Sequence, residues 1–180
     1  MDRRVRRTRR LLKNAMMELI QEVGWERVTV EALAERADVG RSTFYAHYPS
    51  KEDLLFDGFE GWVDSVGVED AAPSPYTEGS SGAAFPFSIH LLHHIQQQRR
   101  FFLATMVRSR NPRIRRRVVA MLVARVQADL QRMGRDATEA SAHAIAGAFL
   151  EVVTWWLTDG RGTPIEEVDR AFRVAVGAAE

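Results

Sequence analysis

Apolar residues recur along this chain at intervals of three and four, with no stretch of the strict alternation that a half-buried strand requires. Leu12, Ala15, Met16, Leu19, Ile20 and Val23 mark a helix over residues 5–23, and Gly24 supplies its stop. Thr29 is placed to cap a second helix that carries Val30, Leu33, Ala34 and Ala37 inward. Asp38 stands where the chain must turn, since Asp tolerates a left-handed backbone better than most residues. A third helix of about two turns opens at Gly40 or Arg41 and ends near His47, because Pro49 pushes the residue before it out of the helical region. Ser50 can accept from the backbone N–H of Asp53, an approximation of a capping box, and starts a fourth helix to about Val66.

From 67 to 86 the chain turns to Pro, Gly, Ser and acids without periodicity, which predicts a flexible loop. Helical spacing resumes over 87–98, 99–108 and 112–133. It continues from Asp136 or Thr138 to Thr158, and from Pro164 to about Ala178. Asn111-Pro112 fits a helix start, with Asn as cap and Pro in the first turn, and Gly134 ends that helix. The expected fold is all-α with about nine helices. A three-helix head over 1–50 is joined by helix four to a helical body over 51–180.

The formal net charge of +1 says little, but its distribution says more. Residues 1–13 hold seven cations against Asp2 alone, residues 58–98 hold five acids and no Lys or Arg, and residues 99–117 hold eight arginines and no acid. Segregation of this kind creates local fields that a net charge hides. The basic arm (Arg3, Arg4, Arg6, Arg7, Arg9, Arg10 and Lys13) lies just upstream of a helix crowded with hydroxyls, an arginine, tyrosines and a histidine. A polar, aromatic-studded helix held on an apolar one is how a helix-turn-helix presents itself to DNA.

Residues 29–55 carry Thr-Val-x-x-Leu-Ala, then Val, then Ser-Thr-Phe-Tyr-x-His-Tyr, then Ser-Lys-Glu-x-Leu-Leu. This stretch resembles the DNA-binding head of the TetR/AcrR family of bacterial transcriptional regulators. The likeness covers the first third of the chain by motif and the rest by layout. It implies that Thr29 caps helix two and donates to a phosphate, and that Arg41, Ser42 and Thr43 lie nearest the base edges. It implies that Tyr45, His47 and Tyr48 meet backbone phosphates or a thymine methyl, and that Lys51 pairs with a phosphate. Two positions depart from the family pattern: Asp38 replaces the usual turn Gly, and Gly40 replaces the usual Ser cap.

In this family the body binds a small effector and forms the dimer. His90, His94, Phe101, Phe102, Met106, Phe149, Val153 and Trp156 are the candidate lining of an effector pocket, although single aromatics at helical spacing are more often ordinary core. His90, His93 and His94 raise metal binding, but no cysteine and no second histidine cluster completes a site, so no metal and no cofactor is expected. Small residues at Ala140, Ala142, Ala144, Ala146 and Gly147 suit close helix approach, and a homodimer through the last two helices is expected.

With no cysteine, disulfides and thiol chemistry are excluded. No apolar run reaches bilayer-spanning length, and no secretory h-region follows the basic N-terminus, so a cytoplasmic protein with no membrane partner is expected. No nucleophile–base pair or carboxylate pair stands at informative spacing, which argues against an enzyme. The expected function is a ligand-responsive repressor on a double-stranded, pseudo-palindromic DNA operator, released by an unidentified small-molecule effector. The alternative is a binding module or coactivator of the same fold that acts through a protein partner.

Overall fold

The computed structural model describes residues 3–65 and 85–178, with the backbone alone for 59–65. Among the described residues there are nine α-helices and no strand, as the apolar spacing predicts. They are α1 (Arg3–Val23), α2 (Val30–Arg36), α3 (Arg41–His47), α4 (Lys51–Ser65), α5 (Phe87–Gln97), α6 (Arg99–Phe102), α7 (Pro112–Arg132), α8 (Glu139–Thr158) and α9 (Ile165–Ala175). A 3-10 turn, Trp25–Arg27, follows α1, and a π-helical stretch, Leu103–Val107, continues α6. Most of the loop expected over 67–86 lies outside the described residues. Its last two positions do not: Phe85 is fully buried and Pro86 leads directly into α5.

Helix ends follow local chemistry. The Thr29 hydroxyl accepts from the Ala32 amide at 3.1 Å and opens α2, Asn111 accepts from Arg113 at 2.9 Å and opens α7, and Ser50 accepts from Asp53 at 3.2 Å and opens α4. The C-terminus of α2 closes on Asp38 with φ 51°, the Val39 amide reaching back to the Ala34 carbonyl at 2.9 Å. That is a Schellman ending built without glycine.

The chain forms two compact units. One comprises the described residues within Met1–Asp64 together with Arg100–Arg110, and the other those within Ser65–Arg99 together with Asn111–Glu180. A division at residue 50 would separate groups that share a core, because α4 buries Leu54, Leu55 and Phe56 in the first unit. In that unit α1 turns one stripe inward (Leu12, Ala15, Met16, Leu19, Ile20) and packs on α2 and α3. The Leu103–Val107 stretch also packs on α1, and the Arg110 amide donates to Glu26 at 3.0 Å.

In the second unit α7 packs along α8, and α9 packs on both α5 and α8. Four phenylalanines fill the core: Phe149 lies 5.1 Å from Phe172 and 5.4 Å from Phe87, ring centre to ring centre, and Phe85 lies 6.1 Å from Phe172. Edge-to-face contacts of this kind add to what burial alone provides. Two buried carboxylates are paired: Asp169 accepts from Ser88 and, at 2.6 Å, from Arg173, while Asp129 pairs with exposed Arg132 and with Arg125 at 3.3 Å.

One expectation needs correcting. Helix α8 is long and apolar enough to cross a membrane by length and composition. Its polar residues are spaced out (Ser141, His143, Glu151, Thr154), so strict apolar runs look short while the average stays high. Its inward face, Ala142, Ala146, Phe149, Leu150, Val153, Trp156 and Leu157, is buried within the unit.

Candidate nucleic-acid interface

The site is built on α3, a helix of seven residues whose only buried side chain is Phe44. Phe44 anchors the helix in the head core and stands 5.5 Å edge-on to Tyr45 and 6.1 Å from Tyr48. With that anchor set, the helical rotation leaves Arg41, Ser42 and Tyr45 exposed and Thr43 and His47 half-exposed. Gly40 starts α3 in extended conformation with no side-chain cap, and its carbonyl accepts from Phe44 at 3.1 Å. Replacing a hydroxyl cap by Gly costs only a few tenths of a kcal/mol, and the helix forms without it. Thr29 is exposed at the start of α2, and its capping bond uses the oxygen while leaving the hydroxyl hydrogen available.

Two of the sequence-derived candidates are committed elsewhere. Tyr48 is 2% exposed, and its hydroxyl donates to Asp57 on α4 at 2.6 Å. Its ring carries the Arg9 guanidinium at 5.3 Å. It points into the head, held between Asp57 of α4 and Arg9 of α1. The Lys51 ammonium donates to the Val28 carbonyl at 2.8 Å and the Trp25 carbonyl at 3.3 Å, and lies 4.4 Å from the Trp25 ring centre. The Trp25 carbonyl also accepts from the Val28 amide at 3.1 Å, so the lysine is a second donor there, and its bonds tie α4 to the loop before α2.

The basic arm divides in the same way. Lys13 pairs with Asp57 at 2.9 Å and Arg9 approaches it at 4.0 Å, whereas Arg3, Arg6, Arg7 and Arg10 have exposed side chains on α1. Burial raises the Asp57 carboxyl, but the Tyr48 hydroxyl and the Lys13 ammonium outweigh it and hold the group below its ordinary value. Burial, and then the Asp57 carboxylate, keeps the Tyr48 phenol protonated far above its usual range. Arg36 closes the other side of the head, meeting Glu22 at 2.7 Å and Glu18 at 3.1 Å from α2 to α1. Sequence reasoning missed Asp57 and Glu31, which bonds Arg41 at 3.1 Å. Their only signal is position, Glu31 in the first turn of α2 and Asp57 two turns into α4, and acids on helices are too common to be noticed.

The eight candidate pocket residues fall in both units. His90 and His94 are half-buried on α5, and burial lowers both imidazoles below their ordinary value. Phe149, Val153 and Trp156 are buried on α8. Phe149 belongs to the phenylalanine core and the Trp156 indole donates to the Thr163 carbonyl at 3.0 Å. Phe101 and Phe102 are buried with rings 5.6 Å apart and Met106 is half-buried, all in the other unit. Among the described residues no three His, Cys, Asp or Glu side chains are grouped to hold a metal ion.

Comparison with known proteins agrees with this geometry. Residues 12–57 match the model of bacterial regulatory proteins of the tetR family, and residues 83–176 match that of a transcriptional regulator C-terminal region. The HTH-type transcriptional regulator TcmR of Streptomyces glaucescens is 34% identical over 86 residues, which are 46% of this chain and 38% of that protein. A TetR transcriptional regulator from Streptococcus agalactiae superposes with a TM-score of 0.70 at 26% identity, over 97% of this chain and 96% of the other. FadR of Thermus thermophilus, a TetR family repressor solved with lauroyl-CoA, has the same fold, with a TM-score of 0.63 at 19% identity over 93% and 92% of the two chains. A head whose exposed helix is pinned through one phenylalanine, continued by a helical body that matches in its own right, places this chain in the tetR family of bacterial transcriptional regulators.

Proposed function

We propose that this regulator is a ligand-responsive repressor that binds a pseudo-palindromic operator as a homodimer and is released by a small-molecule effector. The observation that carries the reading is the exposed surface of Arg41, Ser42 and Tyr45 on a helix held by buried Phe44. Arg41, Ser42 and Thr43 would reach base edges, while Thr29, Tyr45 and His47 would fix register on phosphates. Exposed Arg3, Arg6, Arg7 and Arg10 would add contacts that do not depend on sequence. Tyr48 and Lys51 would serve this surface from within, by holding α3 and α4.

Dimerisation through α8 and α9 is supported by how the small residues divide. Ala142 and Ala146 face the core, whereas Ala140, Ala144, Gly147 and Trp155 form an exposed stripe along α8. Trp155 and Val174 remain 46% and 62% exposed, large apolar groups that a partner would cover. Two heads about 34–36 Å apart would read successive major grooves.

The lauroyl-CoA in Thermus FadR makes an effector with an acyl chain the first class to try. Half-buried His90 and His94, kept neutral by burial, would suit an uncharged or acyl group rather than a strong cation. The test is a gel shift with DNA from upstream of the regulator's own gene. Arg41→Ala and Tyr45→Ala should abolish the specific band, and an inducing acyl or aromatic compound should release the wild type. Retention of the band by both variants would sink the assignment of the reading surface.

A further inference from the structure

The Arg41 guanidinium is not free in solution. Its Nη2 lies 3.1 Å from Oε1 of Glu31, in the first turn of α2, and no other ion pair to either side chain is found among the described residues. Both side chains are open to water, 63% exposed for Arg41 and 57% for Glu31, so the pair adds little to stability. Its placement is costly for a DNA-binding surface. Glu31 stands two residues beyond Thr29, on the edge of the head that is to meet phosphates, and a carboxylate there repels every duplex alike.

We propose that Glu31 is a specificity-determining residue, whose carboxylate fixes the Arg41 guanidinium in the plane needed to read a guanine edge. The proposal rests on the reading of α3 as the recognition helix. An arginine carries five N–H donors in a rigid fork. Whichever Nη2 hydrogen Glu31 accepts, one parallel pair remains on another edge of the fork, either Nη1 with Nη2 or Nε with Nη2. That pair matches guanine O6 and N7. An unsupported arginine at the first position of a short helix must lose its rotational freedom on binding, and it can swing to a phosphate on any sequence. Held by Glu31, it is already oriented, and the phosphate alternative requires breaking the pair. The acid therefore lowers affinity for all DNA and lowers it least for the site with guanine in the right place.

The ordinary role for an acid at this position is to stabilise the start of α2 through the helix dipole. The experiment separates the two. A duplex selected by the full-length wild-type chain from a randomised library is compared with copies in which single guanines are replaced, and with an unrelated duplex. For Glu31→Gln we expect tighter binding to the unrelated duplex and a loss of about fivefold or more in discrimination at one guanine. The melting temperature should stay within about 2 °C of the wild type. In an Arg41→Ala background the same change should cost no further discrimination. If Glu31→Gln leaves the discrimination intact, or removes it equally without Arg41, the proposal is overturned. If Arg41→Ala alone keeps the wild-type base preference, the recognition-helix reading fails first.

Discussion

The hydroxyl of Tyr48, just past the end of α3, donates to the carboxylate of Asp57, two turns into α4, across 2.6 Å. Lys13 of α1 binds the same carboxylate at 2.9 Å and the Asp57 carbonyl at 3.2 Å. One acid thus joins three helices of the head. Any displacement of α4 must either carry α3 with it or break a charge-assisted hydrogen bond.

Tyr48→Phe should therefore destabilise the head by about 1.5–3 kcal/mol, the range for hydrogen bonds to charged groups. The sign of the pH dependence follows. Asp57 sits below its ordinary 3.8, so its contribution is present above that pH and is lost as pH falls through the lower folded value. Tyr48 sits above its ordinary 10.0, so its contribution is present below pH 10 and is lost as pH rises beyond it. Chemical denaturation between about pH 8 and 11 should show the wild type losing more stability than Tyr48→Phe. Equal losses would mean that the phenol is not buried against the acid.

Lys51→Met should lower the melting temperature by several degrees, because it strips donors from the Val28 and Trp25 carbonyls and a cation from the Trp25 ring. Two part-buried interactions of this kind are worth about 2 kcal/mol together, or roughly 4–8 °C for a chain of this size. The salt dependence of DNA binding should keep its slope, since the ammonium faces inward. A slope reduced by about one unit would restore Lys51 as a phosphate contact.

These two residues mark where sequence reading succeeds and where it stops. Helix positions were legible because burial imposes a period: Leu12 to Ile20 and Val30 to Ala37 can face inward only as helices. The caps at Thr29, Ser50 and Asn111 were legible because each is a local bond spanning two or three residues. Tyr48 and Lys51 are expected at phosphates from the family likeness, and both side chains carry the polar tips that such a role needs. Whether such a tip meets solvent or an inward partner depends on contacts such as Tyr48 to Asp57 and Lys51 to Val28, 23 residues away for the latter. Nothing in residues 48 or 51 encodes the position of those partners. The same holds for the alanines of α8, where composition named the helix but only packing against α7 and α9 decided which residues turn outward.

Asp38→Gly should stabilise the protein. The backbone at Asp38 has φ 51°, a left-handed conformation that costs residues with a Cβ about 1 kcal/mol and glycine nothing. The Asp38 side chain is exposed at the C-terminus of α2, where a negative charge opposes the helix dipole. A rise of about 2–4 °C in melting temperature is expected, with operator affinity unchanged or improved. A fall would reveal that the carboxylate holds the turn by a bond that outweighs its strain.

Val174→Glu tests the proposed dimer with little risk to the fold. Val174 is 62% exposed on α9, whose inward face is carried by Ile165, Val168 and Phe172, so a charge there disturbs no internal packing. If α8 and α9 of two copies meet, the valine is removed from water and its replacement buries a carboxylate in the interface from each chain. Lost burial alone is worth about 1.5 kcal/mol per chain, and burying the two carboxylates adds a desolvation cost, so the dimer should weaken by at least about a hundredfold. Sedimentation equilibrium would register the change as a shift to monomer at micromolar concentration, with helical content retained. Trp155 is a poorer probe, because its ring is stacked so closely on Gly160 that a Cβ added there would come within 2.7 Å of it. Removing that ring would loosen the turn between α8 and α9 whether or not a partner is present. A Val174→Glu variant that stays dimeric at wild-type strength would place the subunit contact on another face.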